Sequence, residues 1–386
     1  MKISERISAV IPAPIDRVNR ARLNFEAAGR RILNLGQAVP DYGPPPEAVE
    51  HLKIDINDPA LHLYTPDPGL PELREALAES LREKFAARAT AGRIVISGGA
   101  NHAFLLAASV LFDSGDAVGL LSPYYLNHQM ALTALGLVPL EISPQADFRY
   151  DLRELERTAH EHRLKALVLV NPSNPSGKVY DEDELRGIYE MCRRLDLMLI
   201  ADEVYASFVF EPARMISLLS IDDAADHSIV IGSFSKEYGI TGWRVGYLHA
   251  PAELEEHLLK AQDYSLICAP RAGQQLALHC LETAPRWTEK HIGQYDARRR
   301  MALNILESGG CFEVYRGGGG YFVWFRPLID IDSESAVFDI MERAGVCLVP
   351  GFIFGEQWRG WLRMSFGNQP EEILRTACEK LAEYFS

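Results

Sequence analysis

The chain has 386 residues, enough for one large and one small domain. Hydrophobic residues make up 47% of it and charged residues 24%, the balance of an ordinary soluble globular protein. Its formal net charge of −14 argues against non-specific binding to nucleic acid, because such binding requires a basic surface.

The six cysteines show no CxxC spacing and are not accompanied by a histidine cluster. We therefore expect neither a disulfide framework nor a metal site, and we expect a reducing compartment. The N-terminus lacks the apolar segment of a signal peptide, and no apolar run is long enough to span a bilayer. The sequence thus predicts a cytoplasmic protein with no membrane or nucleic-acid partner.

Residues 1–45 are rich in Pro and Arg and are predicted to be irregular, apart from a short strand that ends at Gly36. The loop after Gly36 contains Asp41 and Tyr42, and it is either a plain connection or a wall that contacts the substrate side chain. Further along, Pro71 is well placed to begin a helix that runs to about Phe85.

Short apolar runs alternate with helical segments between about residues 90 and 250. The predicted strands cover 94–96, 117–121, 166–170, 197–201 and 229–232. Helices are predicted over 181–195, 251–264 and 270–283 and from Arg286, followed by a strand at 320–325 and a helix at 333–344. The alternation predicts an α/β fold with a mostly parallel sheet.

Polar or small residues follow several of these strands, which is where ligands bind in such sheets. Gly99 begins a glycine turn before a helix, whose N-terminal N–H groups suit a phosphate. Asn174 lies in a doubled Asn-Pro turn. Asp202 ends an apolar strand, where a carboxylate is costly unless it is paired. The alternative is that the acid is a solvated carboxylate in a loop, and this description suits Glu203 better than Asp202.

Residues 233–247 carry two serines, a lysine, three glycines and an arginine. Ser233, Ser235 and Arg244 can hold a phosphate, and the glycines allow backbone to pass close to a ligand. Lys236 beside an apolar strand can have a lowered pKa and attack a carbonyl. The combination suggests a lysine Schiff base to a phosphorylated aldehyde. A tight surface turn with a solvated lysine and arginine is the alternative.

Ser-Phe-Ser-Lys at 233–236, followed by Gly-Trp-Arg-x-Gly-Tyr at 242–247, resembles the cofactor-lysine signature of class I/II aminotransferases. These are fold-type I enzymes that use pyridoxal 5′-phosphate. The glycine loop, the Asn-Pro doublet and a Pro-Gly-x-x-Phe-Gly segment occur in the family's order, and the similarity covers roughly residues 30 to 370. It implies a three-layer α/β fold with a large domain at 46–285 and a small domain formed by 1–45 and 286–386.

The resemblance also implies roles around the cofactor ring. Lys236 would hold the cofactor and move the substrate proton, and Asp202 would keep the pyridinium nitrogen protonated. Asn174 and Tyr205 would lie at the phenolic oxygen. Tyr125 would stack on the ring, with Tyr124 as the alternative if the register shifts by one residue.

At the two ends of the site, the resemblance implies anion binding. The predicted phosphate ligands are Gly99, Ala100, Asn101, Ser233, Ser235, Arg244 and, across a homodimer interface, Tyr64. The substrate carboxylate would be bound by Arg363, with Gly36 and Asn174 beside it. The chain departs from the family's usual residues at Ser176 and Phe352.

Transamination between an amino acid and a 2-keto acid is the predicted reaction of this homodimer with shared active sites. A lyase or cyclase is the alternative, because the same groups serve β- or γ-elimination and ring closure. The segment 62–71 is also similar to 1-aminocyclopropane-1-carboxylate synthases. A transcription regulator that binds the same cofactor is a third possibility, but the sequence leaves no room for a DNA-binding domain before residue 30.

Overall fold

A computed structural model describes residues 2–11 and 14–386, and its helices and strands are as follows. The α-helices are α1 Glu5–Ser8, α2 Pro14–Ala27, α3 Pro46–Asp55, α4 Pro71–Phe85, α5 Ala100–Leu111, α6 Leu126–Leu135, α7 Leu152–His162, α8 Glu182–Arg194, α9 Ala224–His227, α10 Phe234–Glu237, α11 Glu255–Ser265, α12 Arg271–Thr283, α13 Glu289–Ser308, α14 Ser333–Arg343 and α15 Glu371–Phe385. The strands are β1 Leu33–Asn34, β2 Ile94–Ser97, β3 Ala117–Leu121, β4 Val138–Ile142, β5 Ala166–Val170, β6 Met198–Asp202, β7 Ser228–Ser233, β8 Gly246–His249, β9 Phe312–Tyr315, β10 Phe322–Pro327, β11 Val346–Cys347, β12 Val349–Pro350 and β13 Leu362–Ser365.

The larger sheet has seven strands in the order β2-β8-β7-β6-β5-β3-β4. Strands β4, β3, β5, β6 and β7 are mutually parallel, and β8 runs antiparallel to both β7 and β2. The predicted α/β fold with a mostly parallel sheet is therefore confirmed. Prediction missed β4, which includes Pro139 and Glu141, and β8, which begins at the end of the 233–247 motif.

Both faces of this sheet are covered by helices, as the uninterrupted apolar run of β5 indicates. Leu167 and Leu169 pack into one hydrophobic core, whereas Ala166 and Val168 pack into another on the opposite face. Because side chains alternate across a strand, a fully apolar strand buries both of its faces. The result is a three-layer arrangement in which ligands can reach the sheet at its strand ends.

The C-terminal third builds a second, smaller structure. Its antiparallel sheet has the order β12-β13-β10-β9, and β1 pairs in parallel with β11. Val18 and Leu35 from the N-terminal segment share a core with Leu303, Phe325 and Leu374. The two ends of the chain thus pack together. None of the helices among the described residues combines the length and the apolar character needed to cross a bilayer.

The prediction that residues 1–45 are irregular is wrong, since they include α1 and the fourteen-residue α2. Of residues 15–27, Val18 alone is fully buried, so the apolar stripe that reveals a helix in sequence is weak. The helix packs through Val18, Ala21 and Phe25 against the core of the smaller structure, and the 2.9 Å ion pair between Arg17 and Glu334 adds a polar contact.

Candidate active site

A cavity of about 350 Å³ lies at the carboxyl ends of the parallel strands. Twelve of the fourteen residues predicted for the site line it. They are Gly36, Ala100, Asn101, Tyr125, Asn174, Asp202, Tyr205, Ser233, Ser235, Lys236, Arg244 and Arg363. Residues up to 327 positions apart in sequence therefore converge on one space, because each follows a strand or lies on a segment that packs against the strand ends.

Lys236 lies on α10, a single turn that follows β7 directly. The Ser233 hydroxyl caps this turn by accepting a hydrogen bond from the Ser235 N–H at 3.1 Å. The Lys236 Nζ donates to the Ala38 carbonyl at 2.7 Å. Burial, together with the positive charges of Arg244 and Arg363, lowers the pKa of Lys236 to about 8. Roughly a tenth of its amine is therefore neutral, and nucleophilic, at pH 7, about 300-fold more than in an ordinary lysine.

Hydrogen-bond donors converge at one end of the cavity. Helix α5 begins at Ala100 and no side chain caps its N-terminus, so its first N–H groups are free. The Ser235 hydroxyl is buried without a hydrogen-bond partner in the described structure. The Arg244 guanidinium lies so close to the backbone at position 99 that a Cβ there would be 2.4 Å from its Nη2. A residue with a side chain would clash, so position 99 is glycine. This cradle fits a phosphate.

The other end of the cavity holds the Arg363 guanidinium, which is 3% exposed. Its Nη1 donates to the Asn174 side-chain oxygen and its Nη2 to the Gly36 carbonyl, both at 2.7 Å, while its Nε has no partner. No carboxylate among the described residues pairs with it. Because a buried, uncompensated cation is costly, this arrangement favours an anionic ligand.

Between these ends lie the groups predicted to surround the ring. The Asp202 carboxylate is 4% exposed and lies 3.1 Å from the His128 Nε2. His128 stacks on Phe104 and meets Tyr125 edge-on. Burial raises the pKa of Tyr205. The sequence analysis missed His128, although its position one helical turn after Tyr125 was the available signal.

The alternative Tyr124 packs in the hydrophobic core, whereas Tyr125 lines the cavity, so the geometry favours Tyr125. The interpretation of Glu203 as a solvated loop acid is wrong. Glu203 is 5% exposed and accepts hydrogen bonds from the Ser217 hydroxyl and the Leu218 N–H, both at 2.7 Å. Burial raises its pKa to about 7. Its role in the structure is to hold the segment that contains Ser217.

Two predicted site residues do not line the cavity in this single chain. Gly99 lies against the Arg244 guanidinium and outside the cavity, and the Tyr64 side chain is 74% exposed. The candidate substrate contacts Asp41 and Tyr42 also lie outside. Asp41 pairs with Arg298 at 2.7 Å, and the Tyr42 hydroxyl donates toward the backbone carbonyls of residues 236 and 237. The lining residues that the sequence analysis missed include Ile15, Asn19, Gln37, Ala38 and Thr241.

Residues 30–381 match the family model described as aminotransferase class I and II. The chain belongs to this family. This class I/II aminotransferase is 34% identical over 357 residues to an aromatic aminotransferase of Arabidopsis thaliana, covering 90% of this chain and 88% of the relative. It is 31% identical over 390 residues to an aspartate aminotransferase of Pyrococcus abyssi, covering 99% and 96%.

Among solved structures, the aspartate aminotransferase of Thermus thermophilus with maleate superposes with a TM-score of 0.92. The sequences are 28% identical, and the match covers 99% of each chain. The predicted family, enzyme class and fold are thereby confirmed, and the protein is an aminotransferase acting on amino acids. The lyase or cyclase alternative is not favoured. Members of the family use pyridoxal phosphate and are typically dimeric.

Proposed function

We propose that this aminotransferase binds pyridoxal 5′-phosphate covalently through the Nζ of Lys236 and moves an amino group from an amino acid to a 2-keto acid. One observation carries the proposal: Lys236 lies between two anion-binding ends of a single cavity. The donor cradle at Arg244 suits a phosphate, and the buried Arg363 suits a carboxylate. The phosphate of the aldehyde needs one of these ends and the carboxylate of the amino acid needs the other. The Lys236 amine, which joins the aldehyde, must lie between them.

The remaining lining residues have matching roles in this proposal. Tyr125 would cover one face of the ring, Asp202 would accept from its nitrogen, and Asn174 and Tyr205 would face its phenolic oxygen. The phosphate ligands would be Ala100, Asn101, Ser233, Ser235 and Arg244. When bound, the cofactor supplies an electron sink for the pair left behind when the Cα–H bond breaks.

The chain's own residues perform the binding and proton steps. The N–H groups of Arg363 that are not committed to Asn174 and Gly36 include Nε–H, and they are available to pair with the substrate carboxylate. This pairing fixes the orientation of Cα. The neutral Nζ of Lys236 then takes the proton from Cα. Two contacts hold the Asp202 carboxylate in its orientation. One is with His128, and the other is with the Val204 N–H, which donates to the Asp202 Oδ1 at 3.1 Å.

The proposal includes a homodimer in which Tyr64 reaches the phosphate of the neighbouring subunit. Exposed apolar side chains support an interface, since Leu63 is 65% and Tyr264 is 75% exposed, as large apolar side chains at partner surfaces often are. We also place the enzyme in the cytoplasm. All six cysteines are unpaired in the structure, in agreement with a reducing compartment.

Borohydride reduction of the purified holoenzyme tests the covalent link. We expect the reduced cofactor on the peptide that contains Lys236, and no label in Lys236→Ala. The control is Lys290→Ala, which removes an exposed lysine and should be labelled like the wild type. A label on any other lysine would refute the assignment.

A further inference from the structure

The Pro-Gly-x-x-Phe-Gly segment at 350–355 enters the connection between β12 and β13, which covers residues 351–361. The two strands pair so that Val349 lies opposite Arg363, and the connection leads directly into the strand that carries this arginine. The connection also contacts the guanidinium itself, since the Phe354 ring centroid lies 5.4 Å from the Arg363 Cζ. Contacts that fix the connection therefore also fix the Arg363 end of the cavity.

A carboxylate of the larger sheet holds this connection. Glu141 lies on the edge strand β4, and its Oε2 accepts a hydrogen bond from the Glu356 N–H at 2.9 Å. Its Oε1 accepts from the hydroxyl of Ser122, which directly follows β3, at 2.7 Å. The Ser122 Oγ in turn accepts from the Trp358 Nε1 at 2.7 Å. Two of these hydrogen bonds cross to the connection, and the third joins Glu141 to Ser122.

The last glycine of the motif, Gly355, shows how closely the carboxylate approaches the connection. Its φ of +137° is one that residues with side chains rarely adopt. A Cβ at this position would also overlap the Glu141 carboxylate and lie 2.7 Å from the Ser122 Oγ. Glycine is required here because the carboxylate occupies the place where a side chain would be.

The segment 122–125 leads to the residue proposed to stack on the cofactor ring. Its Tyr124 N–H donates to the Phe354 carbonyl at 3.0 Å, and its first carbonyl accepts from the Tyr150 hydroxyl at 2.7 Å. Because Tyr150 holds this segment separately, its position does not depend on Glu141. Loss of the carboxylate would therefore loosen the substrate-carboxylate end of the cavity more than the cofactor end.

We propose that Glu141, which does not line the cavity, is a positioning residue for substrate binding. It fixes the Arg363 guanidinium relative to the cofactor end of the cavity through residues 354–358. The inference rests on the proposed function, in which Arg363 binds the substrate carboxylate. A carboxylate suits this task because both of its oxygens accept charge-assisted hydrogen bonds. Glutamine keeps the shape but places an N–H donor against another donor.

Steady-state kinetics of Glu141→Gln with the best amino acid of a panel test the proposal. We expect KM to rise about tenfold and kcat to stay within about threefold of the wild type, because the change weakens ground-state binding and leaves the proton-transfer groups in place. The dissociation constant of the 2-methyl analogue of that amino acid, which has no Cα hydrogen to lose, should rise by the same factor when the holoenzyme is titrated and followed by visible absorbance. The dissociation constant of the cofactor should change less than about twofold.

A second background tests whether Glu141 acts through Arg363. In Arg363→Lys, the further change Glu141→Gln should lower kcat/KM less than about twofold, since residues that act through one contact are not additive. A full tenfold loss in that background would overturn the proposal, as would an unchanged KM and analogue affinity in Glu141→Gln alone. If Glu141→Gln does not fold, Trp358→Phe removes the donor to Ser122 and should raise KM about threefold; a wild-type KM in that variant would also overturn it.

The matched control is Asp223→Asn. Asp223 directly precedes α9, accepts from the Tyr189 hydroxyl of α8 at 2.7 Å and does not line the cavity. This variant should leave KM unchanged, and an equal rise in KM in both variants would show that Glu141 stabilises the fold without positioning the site. If the wild type converts amino acids but Glu141→Gln does so equally well, the inference fails while amino transfer stands. If no amino acid of the panel yields a keto acid, the proposed function itself fails.

Discussion

Arg363 is buried and Lys236 is partly buried, and neither cation has a carboxylate partner among the described residues. Desolvation lowers the pKa of each. Such groups make the folded chain less stable than apolar residues of similar volume would, so their presence indicates a function rather than a structural role.

Lys236→Met should stabilise the cofactor-free protein at pH 7. A shift of the pKa from 10.5 to about 8 corresponds to roughly 3 kcal/mol disfavouring the folded state while the amine is charged. This penalty is complete below pH 8, shrinks as pH rises from 8 toward 10.5, and is absent above that. We therefore expect the free energy of unfolding in urea to be about 1–3 kcal/mol higher for the variant than for the wild type at pH 7, allowing for the lost hydrogen bond. This difference should disappear by about pH 10.5.

The control is Lys53→Met, which removes a lysine with a 65% exposed side chain and should show no such pH dependence. A Lys236→Met variant that is less stable than the wild type at pH 7 would show that the lysine is not held in an unfavourable charged state.

Arg363→Lys should lower kcat/KM for amino acids roughly 10- to 100-fold. Lysine keeps the charge but cannot form the paired hydrogen bonds of a guanidinium, and a charged hydrogen bond contributes about 1.5–3 kcal/mol. The control is Arg326→Lys on β10, where the arginine pairs with Glu313 at the surface and both side chains are about half exposed. Steady-state kinetics in which both variants match the wild type would remove Arg363 from the proposed carboxylate site.

Among the secondary-structure elements, the motifs predicted which site residues lie at the strand ends, but they did not predict helix α2. Lys236, Asp202 and Asn174 could be predicted because each lies at or shortly after the end of an apolar strand, and strand ends meet at one edge of a parallel sheet. Ile15 and Asn19 could not be predicted, since α2 buries little apolar surface and its approach to the cavity depends on contacts with a segment some 300 residues away. The burial of Glu203 was also missed, because its partners at 217 and 218 are distant in sequence.

The N-terminal loop is joined to the Lys236 turn through Tyr42. Its hydroxyl lies 2.9 Å from the carbonyl oxygens of Lys236 and Glu237, and its ring stacks on His291 at 4.1 Å. We expect Tyr42→Phe to lower the free energy of unfolding by about 1 kcal/mol, since it removes a partly buried hydrogen bond and keeps the ring. Urea denaturation measures this. A Tyr42→Phe variant as stable as the wild type would contradict the contact.

At the scale of the whole molecule, the division into a large domain at 46–285 and a small domain at 1–45 plus 286–386 stays a prediction. The packing of Val18 and Leu35 with Leu303 and Leu374 supports it. The segment around Phe208 packs in the same core, however, so the second core also draws on residues inside the predicted large domain. The alternation of strands and helices could be predicted from apolar periodicity, but such sharing of a core could not.

Assembly is testable by mixing subunits. If Tyr64 acts on the neighbouring subunit, a hybrid of Tyr64→Phe and Lys236→Ala contains one site with both residues intact. Mixing the two impaired variants should therefore restore activity, approaching half that of a wild-type dimer for each hybrid. Verified hybrids that stay as impaired as their parents would show that each site is complete within one chain.

The most direct test of amino transfer is the stoichiometry of keto acid formed without an acceptor. The amino group removed from the substrate stays with the enzyme, so a transaminase must stop until a 2-keto acid takes that group away. We predict one keto acid per active site when the holoenzyme is mixed with an amino acid alone, and sustained turnover once a 2-keto acid is added. Many turnovers without any acceptor would contradict transamination and support a lyase or cyclase.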